Sequence, residues 1–290
     1  MLCAIMYNQY IIADRNRQRR AECCPCRTQC ANPGARNIQH MSVVLHTRQQ
    51  IALMRAAGRL VAETFEVLRE HVRPGVTTRE LDRIAEQFVR KHGAIPAYKG
   101  YRGFPATICV AINNVVCHGI PGNERLKEGD IIGIDIGVRL NGWYGDACIT
   151  VPVGTISPEA QRLLDVTEEA MWRGIRAARG GARLGDIGAA IQTYVEANGF
   201  SVVREWTGHG VGQLLHEEPT VLHYGKPGTG MRLRPGMTFT IEPMVNAGRP
   251  EAVLDKTDGW TVRTADGSLS AQFEHTIAIT EGEPEVLTLP

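Results

Sequence analysis

Apolar residues recur at two periods along this chain, and the period changes where the polar chemistry begins. Ile51, Met54, Gly58, Val61, Phe65, Leu68 and Val72 follow three- and four-residue steps behind a Thr47 N-cap. That spacing predicts an amphipathic helix, stopped by Pro74-Gly75. Thr77-Thr78-Arg79-Glu80 has the form of a capping box. A second helix is expected behind it, with Leu81, Ile84, Ala85, Phe88 and Val89 on one face and Gly93 at its end. The pattern then becomes strand-like over 107–116, 131–138 and 147–153. Asn141-Gly142, between the last two runs, signals a tight hairpin.

The whole pattern then recurs. A helix is expected over 158–179, ending at Gly180-Gly181. Gly181 to Gly199 matches Gly75 to Gly93 at a constant offset of 106, with Ile187 on Leu81, Ile191 on Ala85, Tyr194 on Phe88 and Val195 on Val89. Further on, Leu233 to Glu242 falls on Leu126 to Asp135 at an offset of 107. Two blocks at nearly one offset predict a duplicated α+β domain with a pseudo-twofold axis, since the repeat is too long for a solenoid. Each half is two helices followed by strands. Asp135 and Glu242 become positional counterparts near the ends of apolar strands. Asp146 and Glu274 play similar parts one strand further on.

Length and charge narrow the class. A chain of 290 residues buries a sizeable core, and 43% hydrophobic with 22% charged residues reads as globular. The net charge of +1 gives no overall pull toward nucleic acid or membrane. No apolar run approaches the length of a membrane span, and the opening residues lack the basic region and cleavage site of a secretory signal. Residues 1–40 differ from the rest: they hold six Arg against two acids, and five of the eight Cys. Cys23, Cys24, Cys26 and Cys30 crowd as zinc ligands do, but no second Cys or His pair follows at the usual spacing. The reading preferred is an N-terminal extension, either a disordered tail or upstream sequence translated from an early start codon. Met41-Ser42 then opens the patterned domain, 41–290. With only Cys109, Cys117 and Cys148, that domain suits a reducing cytoplasm.

Five side chains carry the candidate chemistry: Asp135, Asp146, His209, Glu242 and Glu274. Four carboxylates gathered at one point repel unless cations lie between them, and carboxylates with one imidazole suit divalent ions. Asp135 stands among Ile and Gly, where an unpartnered carboxylate is costly. Taken alone it also reads as a strand-end turn residue, and Asp146 as a loop residue. Glu242 precedes Pro243, which suggests an edge or bulge that re-aims a side chain. Glu274 alone reads as a solvent-facing strand position. His209 lies in Thr207-Gly-His-Gly-Val-Gly212, which lacks the Gly-Lys-Ser/Thr ending of a phosphate loop. His118 and His216 precede turns, where a single His is more often structural; three of them in Gly- or Pro-rich turns favour function. Cys117 beside His118 points to the opposite strand face, a poor nucleophile–base pair, and no Gly-x-Ser-x-Gly is present.

Together, Val116-Cys-His-Gly-Ile-Pro121, Asp135 with Asp146, Gly208-His-Gly-Val-Gly212, His216-Glu-Glu-Pro219, Thr240-Ile-Glu-Pro-Met244 and Ser270-Ala-Gln-Phe-Glu-His-Thr276 resemble the type I methionine aminopeptidases over about residues 41–287. The combination is specific; no single motif is. The resemblance implies the pita-bread fold, two related halves of helices packed on a curved antiparallel sheet. It implies that Asp135, Asp146, His209, Glu242 and Glu274 hold two divalent ions (Co, Mn, Fe or Zn), with Asp146 and Glu274 bridging. It implies hydrolysis by a hydroxide between the ions, with Glu242 relaying the proton and His118 and His216 facing the substrate. Tyr98, Tyr101, Phe104, Cys109 and Trp260 resemble the walls of a pocket for the methionine thioether; each also reads as ordinary core. Leu215 stands where an aromatic is common and Arg102 where a His is common, which touches pocket shape and peptide affinity. The implied substrates are nascent peptide N-termini with a small second residue, met near the ribosome by a cytoplasmic monomer with no specific nucleic acid. Two alternatives are an Xaa-Pro dipeptidase and a non-catalytic peptide-binding protein of the same fold.

Overall fold

Thr47 caps the first helix, as the sequence predicts, and Gln50 completes a reciprocal box that it did not. The Thr47 N–H donates to Gln50 Oε1 at 2.8 Å and the Gln50 N–H to Thr47 Oγ1 at 3.3 Å. This helix, α1 (Arg48–Arg69), buries Ile51, Met54, Gly58, Val61, Phe65 and Leu68. Each large apolar side chain sunk this way contributes about 1.5–3 kcal/mol. Helix α2 (Thr78–Lys91) starts at the Thr77–Glu80 box and buries Leu81, Ala85 and Val89. The second half supplies α3 (Pro158–Ala177) and α4 (Leu184–Ala197). These elements belong to a computed structural model that describes residues 43–290. The expectations for residues 1–40, zinc binding by Cys23, Cys24, Cys26 and Cys30 among them, lie outside the described residues.

In chain order the strands are β1 (Ile95–Pro96), β2 (Ile108–Ile112), β3 (Val115–Cys117), β4 (Ile131–Leu140), β5 (Trp143–Pro152), β6 (Ser201–Val202), β7 (Gly208–Gly210) and β8 (Glu217–Val221). They continue as β9 (Thr238–Ile241), β10 (Met244–Asn246), β11 (Ala252–Leu254), β12 (Val262–Thr264), β13 (Ser270–Gln272), β14 (Glu274–Ala278) and β15 (Glu285–Val286). Nine strands form one antiparallel sheet in the order β1-β4-β5-β14-β9-β7-β8, with β2 also on β4 and β15 on β14. Two three-stranded sheets, β13-β10-β6 and β11-β12-β3, complete the domain. Asn141 and Gly142 both take positive φ in the β4–β5 turn, as an Asn-Gly hairpin requires. The single strand expected over 107–116 is two strands, because Asn113 turns into the left-handed region at φ 54° between β2 and β3.

The duplication is physical. The Gly75 N–H donates to the Leu126 carbonyl at 2.8 Å, and its counterpart Gly181 to Leu233 at 2.9 Å. Arg125 donates back to the Gly75 carbonyl, and Arg232 to that of Gly181. Gly129 and Gly236 hold the same left-handed turn, at φ 90° and 92°. Each half also has its own apolar core: one joins α1 and α2 to β2, β4 and β5, the other α3 and α4 to β9 and β14. This is the two-half α+β arrangement expected of the pita-bread fold. Among the described residues no helix is long and apolar enough to cross a membrane.

Candidate metal centre and adjoining pocket

The sheet order places one candidate residue on or beside each of five consecutive strands. Asp135 is on β4, Asp146 on β5, Glu274 on β14, Glu242 directly after β9 and His209 on β7. Register brings them to one face. Asp135 lies opposite Cys148, and Cys148 lies opposite Glu274. Asp146 lies opposite Gly137, two residues beyond Asp135, so it shares the face. Glu242 follows Ile241, which pairs with His275 beside Glu274. The His209 N–H donates to Thr240 Oγ1 at 3.0 Å on the neighbouring strand.

Side chains then converge. Asp146, His209 and Glu274 each present an oxygen or nitrogen within 4.8 Å of the others. His209 Nε2 lies 3.8 Å from Asp146 Oδ2 and 3.6 Å from Glu242 Oε1. Asp135 joins through Tyr98, whose hydroxyl lies against Oδ1 of both Asp135 and Asp146, with one O–H to share between them. Asp146 is therefore not a loop residue but part of β5, and Glu274 does not face solvent: both side chains are buried.

The electrostatics call for cations. Burial raises the Asp135 carboxyl to about 7. Burial, then the Asp135 charge, pushes Asp146 well up. Glu274 rises well above its ordinary value through burial and the charges of Glu242, Asp146 and Asp135. Glu242 rises chiefly through burial, with Thr240 pulling the other way. Among the described residues no Lys or Arg forms an ion pair with any of the four. Three buried carboxylates and the half-buried Asp135, with one imidazole kept neutral by burial, are a donor set that fits divalent metal.

Supporting groups are built around them. Thr240 Oγ1 bonds Glu242 Oε1 at 2.7 Å, and Gln272 Nε2 donates to Glu242 Oε2 at 3.3 Å. The Glu242 N–H donates to His223 Nε2 at 3.0 Å, and Thr276 Oγ1 to the Asp146 carbonyl at 2.7 Å. Sequence reading missed all four partners. Thr240 and Gln272 each stand two residues before a candidate ligand, so period-2 alternation was the signal available.

The two remaining histidines border this cluster. His216 lies with its ring centroid 4.0 Å from that of His209 and stacks on Tyr101 at 5.2 Å. Its Nδ1 lies 2.9 Å from the Tyr101 hydroxyl. His118 takes a left-handed backbone at φ 57° just after β3, and its charge would bear on both His209 and His216. Burial lowers the His118 imidazole to about 4.

Tyr98, Phe104 and Cys109 pack in one apolar cluster, with Tyr101 and Trp260 against it. Phe104 meets Trp260 edge-on at 5.1 Å. Leu215 is part of the same cluster, and Ala97, Ala106, Ile120 and Tyr144 belong to it without having been anticipated. Cys109 pairs directly with Asp135, so this apolar patch adjoins the carboxylates. Cys117 instead packs with Val116, Val203, Met244 and Val262, and burial raises its thiol well above the usual range, as suits a core residue.

Comparison with known proteins agrees with this geometry. Residues 52–281 match the model of metallopeptidase family M24. The chain is 55% identical over 246 residues to methionine aminopeptidase 1 of Bacillus subtilis, covering 85% of this chain and 99% of that one. It is 51% identical over 249 residues to the methionine aminopeptidase of Rickettsia prowazekii, covering 86% and 96%. The crystal structure of the Rickettsia prowazekii enzyme superposes with a TM-score of 0.85 over 86% of this chain and all of that one. An Xaa-Pro dipeptidase from Bacillus anthracis superposes at 0.68 and 25% identity, and only 61% of its length is matched. The chain belongs to metallopeptidase family M24, among its methionine aminopeptidases.

Proposed function

We infer that this chain removes the initiator methionine from peptide and protein N-termini, preferably before a small second residue. One observation supports the reading: Asp146, His209 and Glu274 offer ligand atoms within 4.8 Å of one another, with Asp135 and Glu242 on or beside neighbouring strands, next to an apolar patch fit for a thioether. Asp135, Asp146, His209, Glu242 and Glu274 would hold two divalent ions, of the Co, Mn, Fe or Zn class. When bound, such ions supply an acidified water and positive charge at the scissile carbonyl.

The chain's own groups do the rest. His216, held by Tyr101, is placed to steady the carbonyl oxygen as it gains charge. His216 keeps an exposed edge, yet desolvation where it packs on His209 and Tyr101 lowers its basicity, so it acts near pH 7 as a neutral hydrogen-bond donor. Neutral His118 faces the scissile amide nitrogen. Glu242, held at both oxygens by Thr240 and Gln272, moves a proton to that nitrogen as the amine leaves. Tyr101, Phe104, Cys109 and Trp260, with Tyr98, enclose the methionine side chain; a polarizable sulfur gains from aromatic edges. The substrates are nascent N-termini met in the cytoplasm by a monomer. Incubating the metal-loaded protein with Met-Ala-Ser and with an Xaa-Pro dipeptide tests the reading. Release of methionine from the first alone is expected; cleavage of the second alone would make it a dipeptidase, and cleavage of neither a binding protein.

A further inference from the structure

The turn between β1 and β2 carries two cations, Lys99 and Arg102, beside the apolar cluster. Lys99 Nζ donates to Glu86 Oε2 at 2.7 Å and is thereby paired. Arg102 is exposed, and among the described residues it has no ion pair or hydrogen bond; its guanidinium carbon lies over the Tyr101 ring, 5.2 Å from the centroid. Its backbone is held in the left-handed region at φ 50°, between Gly100 at 86° and Gly103 at 92°. Few long side chains adopt that conformation. The turn is closed by the Gly100 N–H on the Phe104 carbonyl at 2.8 Å and the Phe104 N–H on that of Tyr101 at 2.9 Å. Tyr101 in turn stacks on His216, whose Nδ1 lies 2.9 Å from its hydroxyl. The acids that follow His216 are engaged elsewhere: Glu217 Oε1 accepts from the Leu214 N–H at 2.8 Å and Glu218 Oε2 from the Thr220 N–H at 3.3 Å.

We propose that Arg102 is a specificity-determining residue: it takes a carboxylate of the peptide on the leaving side of the scissile bond, beyond the small second residue. This rests on the aminopeptidase reading above and deepens it by naming a substrate class. With the methionine side chain in the apolar cluster and the carbonyl at His216, the rest of the peptide leaves over the exposed rim. Arg102 stands on that rim, joined to His216 through the Tyr101 ring. Burial first, then the charges of His209 and Arg102, lower the basicity of His216, so the guanidinium is within electrostatic reach of the site. A guanidinium over a ring still offers its in-plane N–H forks, which match a carboxylate. That carboxylate is either an Asp or Glu side chain at the third position or the free end of a short peptide.

The test compares kcat/KM of the metal-loaded full chain on Met-Ala-Asp-amide, Met-Ala-Asn-amide and Met-Ala-Lys-amide, and on Met-Ala-Ser with a free or an amidated end. All share one scissile bond, so any effect of Arg102 through His216 cancels in the ratios. The expected order is Asp over Asn over Lys, about 3–10-fold between the extremes, shrinking in about 1 M NaCl. An advantage of the free end over the amide assigns recognition to the chain terminus; an advantage of the Asp peptide assigns it to the side chain. Arg102→Gln should level the series, and Arg102→Glu should invert it, which a change in packing alone does not do. Equal rates across both wild-type series, or an order that survives in Arg102→Gln and Arg102→Glu, would overturn the proposal and leave methionine release standing. Release of methionine from none of the peptides would overturn the aminopeptidase reading and the proposal with it.

Discussion

Asp135 and Glu274 lie on one rung of the central sheet, each opposite Cys148 from a different side. Directly opposed residues share a face, so backbone pairing and not loop conformation sets the spacing of the two carboxylates. Cys148 between them is small and its thiol is held well above the usual range by burial and the surrounding acids, so it adds no charge. A one-residue slip of β14 against β5 would turn Glu274 away and present His275 instead. The centre is therefore as rigid as the sheet that carries it.

Replacing Glu274 by Gln should have opposite effects on the two forms of the protein. Without metal, the change removes a buried carboxylate repelled by Glu242, Asp146 and Asp135. The metal-free Tm is expected to rise. With metal, a ligand is lost, so the gain in Tm on adding Mn(II) or Co(II) should shrink, since that gain follows the affinity for the folded state. Methionine release should fall by more than the roughly 10–100-fold typical of supporting residues. A scanning calorimeter with and without metal checks this; unchanged metal-dependent stabilisation would remove Glu274 from the ligand set.

The approach of β5 to α1 rests on Gly145, and that of the C-terminal segment to α1 on Gly58. A Cβ on Gly145 would come within 2.5 Å of the Gly58 backbone nitrogen, and one on Gly58 within 2.2 Å of the Leu287 carbonyl oxygen. Backbone meets backbone here, so no side chain can move aside. Gly145→Ala is expected to cost about 1–3 kcal/mol by overpacking, read as a lower urea midpoint with an unchanged m-value. Because Asp146 is the next residue, metal affinity should fall as well.

Much of the fold is legible in the sequence. The helix faces follow from three- and four-residue spacing, the β4–β5 hairpin from Asn141-Gly142, and the two halves from a repeat that the paired contacts of Gly75 and Gly181 reproduce. The five candidate ligands stand out because charged residues sit inside apolar strands. Other features are hidden for identifiable reasons. Asn113 breaks an apolar run that carries no Gly or Pro. Thr240, Gln272 and Thr276 are ordinary strand residues whose importance comes only from what lies across the ladder. His223 reaches Glu242 from 19 residues away, and Tyr98 reaches Asp135 from 37. Those contacts depend on tertiary pairing, which local pattern does not carry.

Thr240 tests the supporting shell directly. Its hydroxyl bonds Glu242 and accepts from the His209 N–H, so one side chain steadies two candidate ligands. Thr240→Val keeps the shape and leaves a buried N–H unpaired, at a cost of about 1–3 kcal/mol. The expected kinetic signature is a lower kcat with little change in KM at saturating metal, since Glu242 loses its fixed orientation for proton transfer. Thr240→Ser, which keeps the hydroxyl, should restore most of kcat. Equal losses in the two variants would mean that packing, and not the hydroxyl, matters at this position.

The pH dependence of stability should reveal the carboxylates when metal is removed. Asp135 is raised to about 7 by burial, and Asp146, Glu242 and Glu274 are raised as well. The folded chain then keeps protons that the unfolded chain has released. This contribution is full below the ordinary carboxylate range and is lost as pH rises through the folded values. The imidazoles act oppositely. His118 and His209 are lowered to about 4 and His216 is lowered too, so their contribution is present above about 6.5 and lost as pH falls toward 4. Between about 4 and 6.5 the two sets offset each other. Above about 6.5 the imidazoles are neutral in both states and the carboxylates act alone. Chelator-treated protein is therefore expected to melt at a lower temperature at pH 7.5 than at pH 6.5. Saturating metal should flatten or reverse that slope, because cations replace the protons. Melting curves at the two pH values, with and without metal, decide it: a metal-free Tm that rises over this interval would mean that the four carboxylates are not held together in the folded protein.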